Sequence, residues 1–123
     1  MNIEKVMKEM SLHSENIDIT SAMERFSYNM DLYIKFLFKI PFDENFTNGI
    51  RAYEQGDFAA VEFAIHTLKG ISGNLSLTRL FAICNDIVLK CRNKDYCLDD
   101  DILKLEEEYK NVLSIINLCK KMQ

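Results

Sequence analysis

Four glycines and one proline in 123 residues leave little material for irregular backbone. Neither G-x-x-x-x-G-K-S/T nor G-x-G-x-x-G occurs, so no backbone cradle for nucleotide phosphates is expected. A long run of one charge is missing as well. The 15 basic and 19 acidic residues are interspersed and sum to -4, and without a basic face nucleic acid is not expected as a partner. Glu4, Lys5, Lys8 and Glu9 interrupt the first ten residues, which excludes the apolar core of a signal peptide there. The longest apolar stretches fall far short of a bilayer crossing. A soluble cytoplasmic protein with no membrane partner is the expectation. The cysteines Cys84, Cys91, Cys97 and Cys119 include no C-x-x-C pair and meet no paired histidines, so no metal site is expected and they are read as reduced core thiols. His13 has no partner at ligand spacing and is read as a surface residue.

What is present is apolar material at helical period. With 48% hydrophobic residues the chain can build one compact core and is too short for two ordinary domains. Ile3, Val6, Met7 and Met10 share one side of a first short helix. Ser21 and Glu24 have the spacing of a capping box that would open a second. Leu32, Phe36, Leu37 and Ile40 fall at core spacing in a third stretch that resumes beyond Pro41 with Phe46, Ile50 and Tyr53. Proline removes a hydrogen bond and clashes with the preceding turn, so this element is expected to be kinked or broken. Gln55-Gly56-Asp57 ends it and offers Asp57 as the cap of the next helix, about Asp57 to Leu75. Leu80, Cys84, Ile87 and Cys91 form one stripe of a further helix. Arg92 to Tyr96 reads as a polar turn. The last helix, about Asp99 to Lys120, buries Ile102, Leu105, Tyr109, Val112, Ile116 and Cys119. Short connections favour antiparallel neighbours, so the fold class is all-α: an antiparallel up-down-up-down four-helix bundle with additional short N-terminal helices.

Chemistry concentrates on the Asp57 to Leu75 helix. Spaced about 100° apart, Val61, Ala64, Leu68, Ile71 and Leu75 gather opposite His66, which leaves that imidazole in solvent. Ala59, Glu62, Phe63, Lys69, Gly70 and Gly73 surround it. Each glycine costs roughly 1 kcal/mol against alanine inside a helix, and neither falls on the core side. Their absent side chains are read as room for another protein beside the imidazole, with Phe63 as an apolar docking surface. Lys69, three residues after His66, can set a positive charge beside a group that the ring carries. An exposed neutral imidazole keeps one nitrogen lone pair, a nucleophile for phosphorus. Taken singly, His66, Lys69 and Phe63 are each ordinary surface residues. A purely structural account nevertheless gives no reason for two glycines and an aromatic ring around an exposed histidine.

The string His66-Thr-Leu-Lys-Gly70-Ile-Ser-Gly73-Asn-Leu-Ser76 resembles the signature of histidine phosphotransfer domains, H-x-L-K-G-x-x-x-x-L-G. The segments Asn16 to Phe26, Asp31-Leu-Tyr33 and Gln55-Gly-Asp57 extend the likeness. Ser76 stands where the family usually has glycine, and Ser27-Tyr28 replaces a common Gly-Gly pair. The resemblance implies one domain over residues 1–123, with an accessory helix in 1–15 and the phosphotransfer core in 16–121. It makes His66 the phosphoacceptor, Lys69 the support of the phosphoryl group, and Gly70 and Gly73 the clearance for a visiting receiver. Such a protein is a phosphocarrier, without kinase activity, cofactor or metal of its own. Its partners would be response-regulator receiver domains and a hybrid sensor histidine kinase. The starting methionine and missing kinase motifs favour a free-standing protein or an excised module, and a monomer is expected. Two other expectations compete: an adaptor that docks a receiver without accepting phosphate, and autonomous phosphohistidine hydrolysis, for which no second base is evident.

Overall fold

A computed structural model describes residues 2–122, and every regular element among them is helical. The α-helices are α1 (Ile3–Ser11), α2 (Ile19–Arg25), α3 (Met30–Leu37), α4 (Asn45–Glu54), α5 (Phe58–Asn74), α6 (Thr78–Arg92) and α7 (Asp99–Lys120), with a 3-10 turn at Ile40–Phe42 between α3 and α4. The all-α expectation holds. Side chains of Asn2, Asp18, Asn29 and Asp57 each accept a backbone N–H three residues on, satisfying donors that a helix start leaves free. Asp18 therefore displaces the capping box expected at Ser21 and Glu24. Its carboxylate reaches the Ser21 N–H, and the Ser21 hydroxyl instead meets that of Ser76 at 3.1 Å.

The helix expected to run through Pro41 is broken there. α3 stops at Leu37, Pro41 occupies the first turn of the 3-10 segment, and Asp43 accepts the Asn45 N–H where α4 begins. Of the four residues expected inside, Leu37 and Ile40 are buried, but α3 turns its other two outward. Leu32 and Phe36 are exposed, while Met30, Tyr33, Ile34 and Leu37 are buried. Tyr33 decides the rotation. Its hydroxyl donates to the Leu75 carbonyl at 2.7 Å, and its ring meets Phe26 edge-on at 5.2 Å. The inward-turned phenol gains a hydrogen bond that Leu32 and Phe36 cannot make.

α5 packs on α4 and α6, and α6 on α7, while α1 lies along α7. Tyr109 closes the bundle: its hydroxyl donates to the Ile40 carbonyl at 3.3 Å and its ring stacks on Phe46 at 4.0 Å. Gly49 lets α4 come close to α5, since an added Cβ would lie 2.6 Å from Ile65 Cδ1. The stripe expected on α6 is buried throughout, as are the six residues expected on α7. Each fully buried aliphatic side chain contributes roughly 2 kcal/mol over its exposed state. Buried Glu108 of α7 accepts bonds from Asn16 at 3.0 and 2.8 Å, besides one from Asn111 at 3.2 Å, and so ties the segment before α2 to the bundle.

Both places where another residue stands for the family's usual glycine have left-handed backbone. Ser27, Tyr28 and Ser76 have φ of 50°, 63° and 55°. Side chains with a Cβ resist this region by roughly 1 kcal/mol or more. Tyr28 is 67% exposed and loses little packing if removed. Tyr28→Gly should raise stability by about 1 kcal/mol, lifting Tm by roughly 4 °C. An unchanged or lowered Tm in thermal unfolding would contradict this.

Of the four thiols, Cys84, Cys91 and Cys119 are buried, whereas Cys97 is exposed in the loop before α7, against the expectation of a core residue. Only a core position on a helix stripe protects a cysteine, and Cys97 precedes α7. Burial pushes the Cys84 thiol up to about 12 and the Cys119 thiol up to about 11, from an ordinary value near 9. Raised acids favour the folded state while protonated, so their contribution is complete below pH 9 and is lost as pH climbs through 11 to 12. Native protein should thus take one equivalent of iodoacetamide, at Cys97, and its urea midpoint should fall above pH 9. Rapid modification of a second thiol, or a flat midpoint, would oppose this account.

Candidate functional site

α5 is set in place by the turn before it. Gly56 takes the left-handed φ of 70° that ends α4, and Asp57 accepts the Ala60 N–H at 3.1 Å to open α5. From that register Val61, Ala64, Ile65, Leu68 and Ser72 point into the bundle. Ile71 is half-buried against the core, and Leu75, one residue past the helix, is buried. His66 stands exposed on the opposite face.

Around the imidazole Ala59 and Gly70 are exposed, Glu62, Lys69 and Gly73 are half-buried, and the Phe63 ring is 76% exposed. The two glycines differ. A Cβ on Gly70 would meet nothing within 4 Å, whereas one on Gly73 would lie 3.2 Å from the Phe81 ring of α6. The small size of Gly73 also lets Phe81 lie against α5, while Gly73 still lines the open space beside His66. Lys69 leans the same way, with Nζ 5.7 Å from the centroid of that ring. An open cavity of about 540 Å³ runs beside His66, lined by Lys69, Gly70, Gly73 and Phe81 together with Ser21 and Arg25.

Arg92, expected in a polar turn, is the last residue of α6 and reaches the site. Its Nη2 lies 3.5 Å from His66 Nδ1 and its Nε lies 3.7 Å from a Glu62 carboxylate oxygen. The signal for it was pairing register. α5 and α6 run antiparallel about Leu77, so residues equally distant from Leu77 face one another. Gly73 and Phe81 are each four residues away, and Glu62 and Arg92 are each fifteen.

The arrangement is an accessible ring nitrogen on a rigid helix, with two cations within reach and one carboxylate beside it. That suits a group that acquires negative charge, because positioning and charge compensation carry most of phosphoryl transfer. Among the described residues no group of three or more His, Cys, Asp or Glu side chains is placed to hold a metal ion. No helix among them is long and apolar enough to cross a membrane. A family model described as "Hpt domain" matches residues 38–115, from the end of α3 into α7. No curated protein and no solved structure matches the chain.

Proposed function

Because the chain belongs to the Hpt domain family, whose members serve phosphotransfer in two-component systems, we propose that it carries a phosphoryl group on His66 between receiver domains. The observation that carries this reading is the exposed imidazole in the middle of α5, with open space beside it at Gly70 and the cations of Lys69 and Arg92 nearby. A receiver brings an aspartyl phosphate and the magnesium that serves the reaction. His66 attacks phosphorus, and Lys69 offsets charge on the phosphoryl oxygens. Ala59, Glu62, Phe63 and Gly70 form the surface on which the receiver docks, with Phe63 as its apolar centre. Gly73 lines the same open space and also seats Phe81.

Residues 1–123 act as one unit in this reading, with the core in 16–121. Support comes from α1, whose Val6 and Met10 join the same buried cluster as α5 and α7. The protein works as a monomeric carrier in the cytoplasm, without kinase activity, and a hybrid sensor histidine kinase supplies its phosphate through a receiver. The test is transfer from each phosphorylated receiver encoded in the same genome. Acid-labile, alkali-stable label on this chain supports the reading, and failure of every receiver to label it contradicts the reading.

A further inference from the structure

A second open cavity, of about 410 Å³, shares the wall residue Arg25 with the one beside His66. It is a groove among the ends of α2, α3 and α5 and the 3-10 turn. Its apolar walls include Phe26, Phe36 and Ile71. Phe26 and Ile71 are half-buried and pack on the core, whereas Phe36 is 43% exposed, with its ring 6.2 Å from that of Phe26. That exposure follows from α3 turning Tyr33 inward to the Leu75 carbonyl. A concave, mostly apolar space of this size has the form of a small-molecule site, for which volumes of roughly 300–1,000 Å³ are usual.

Charge decides the class of guest. Arg25 and Lys39 both line the groove, and neither forms an ion pair among the described residues. Lys39 instead rests its Nζ 5.1 Å from the centroid of the Phe36 ring. The one carboxylate of the lining, Asp43, is already engaged: it accepts the Asn45 N–H at 2.9 Å and the Asn45 side-chain amide at 2.9 and 3.2 Å. Two unpaired cations against one committed anion favour a negatively charged guest, and the ring-and-aliphatic walls favour an apolar body.

The geometry points to a binding site for a small organic acid, its apolar body between Phe26, Phe36 and Ile71 and its anionic head held by Arg25 and Lys39. The site is separate from the phosphoacceptor and stands whether or not His66 takes phosphate. Phe36 and Lys39 line this groove and not the His66 cavity, so changing them tells the two apart.

The probe is anilinonaphthalene sulfonate, an aromatic anion whose fluorescence rises in apolar surroundings, set against phenylnaphthylamine, which has the same rings and no charge. The folded, intact chain should bind the anion saturably, one per chain. Lys39→Gln and Arg25→Gln should each weaken the anion about fivefold and leave the uncharged compound within about twofold of the parent. Phe36→Ala should weaken both compounds about fivefold. Decanoate, a carboxylate with an apolar chain, should displace the anion and raise Tm, as a ligand of the folded state must. Absence of saturable binding overturns the proposal, and so does a Lys39→Gln protein that loses both compounds equally or neither. Binding undiminished in Phe36→Ala would put the probe elsewhere and overturn it too. A Tm lowered by decanoate would mean that opened chains bind it, and association with anionic lipid vesicles alone would mean a membrane surface; either result contradicts the site.

Discussion

Replacing His66 by glutamine is expected to abolish phosphoryl acceptance while leaving the fold unchanged. The ring is exposed and its one polar contact is the 3.5 Å approach of Arg92, so stability should shift by less than about 0.5 kcal/mol, as for other surface changes. Transfer should drop by at least about a thousandfold, because an amide offers no nucleophile for phosphorus. The other histidine is no substitute. His13 Nε2 is held 2.8 Å from Glu9 in a half-buried side chain after α1. Circular dichroism together with a quenched time course of label from a phosphorylated receiver checks both halves. A labelled variant, or an unfolded one, would count against the assignment.

The second large effect separates the two glycines of α5. With nothing within 4 Å of its added Cβ, Gly70→Leu meets no steric cost inside the protein. It should gain roughly 0.5–1 kcal/mol of helix stability. The same side chain would project beside His66 into the space a receiver must enter, so transfer should fall about a hundredfold, equivalent to roughly 2.7 kcal/mol. Gly73→Leu should behave in the opposite order. Its Cβ would lie 3.2 Å from the Phe81 ring, so overpacking should cost roughly 1–3 kcal/mol. Thermal unfolding and transfer rates on both variants decide the matter. A Gly70→Leu protein that transfers normally would mean that no partner comes close at that position.

Much of this arrangement was legible because it depends on local chemistry. The α5 boundaries follow from Gly56 and Asp57, and the exposure of His66 follows from the helical repeat of Val61, Ala64 and Leu68. The regular stripes of α6 and α7 were readable for the same reason. Misreadings arose where a tertiary partner decides. On α3 two adjacent apolar faces compete, and the choice is made by the Leu75 carbonyl, 42 residues from Tyr33 in sequence. Gly73 is open surface on a single helix and becomes half-buried once Phe81 arrives from α6. Asp18 and Ser21 both suited a helix start, and the nearness of Ser76 gave the serine another task. Arg92 could be found only by folding the α5–α6 hairpin about Leu77.

Transfer to the intact chain, followed by mapping of the phosphate at neutral pH, tests the central assignment most directly. The expected result is a single phosphoryl group, acid-labile, on the side chain of His66. Phosphate on any other residue, or a fully active receiver that leaves the chain unlabelled, would contradict it.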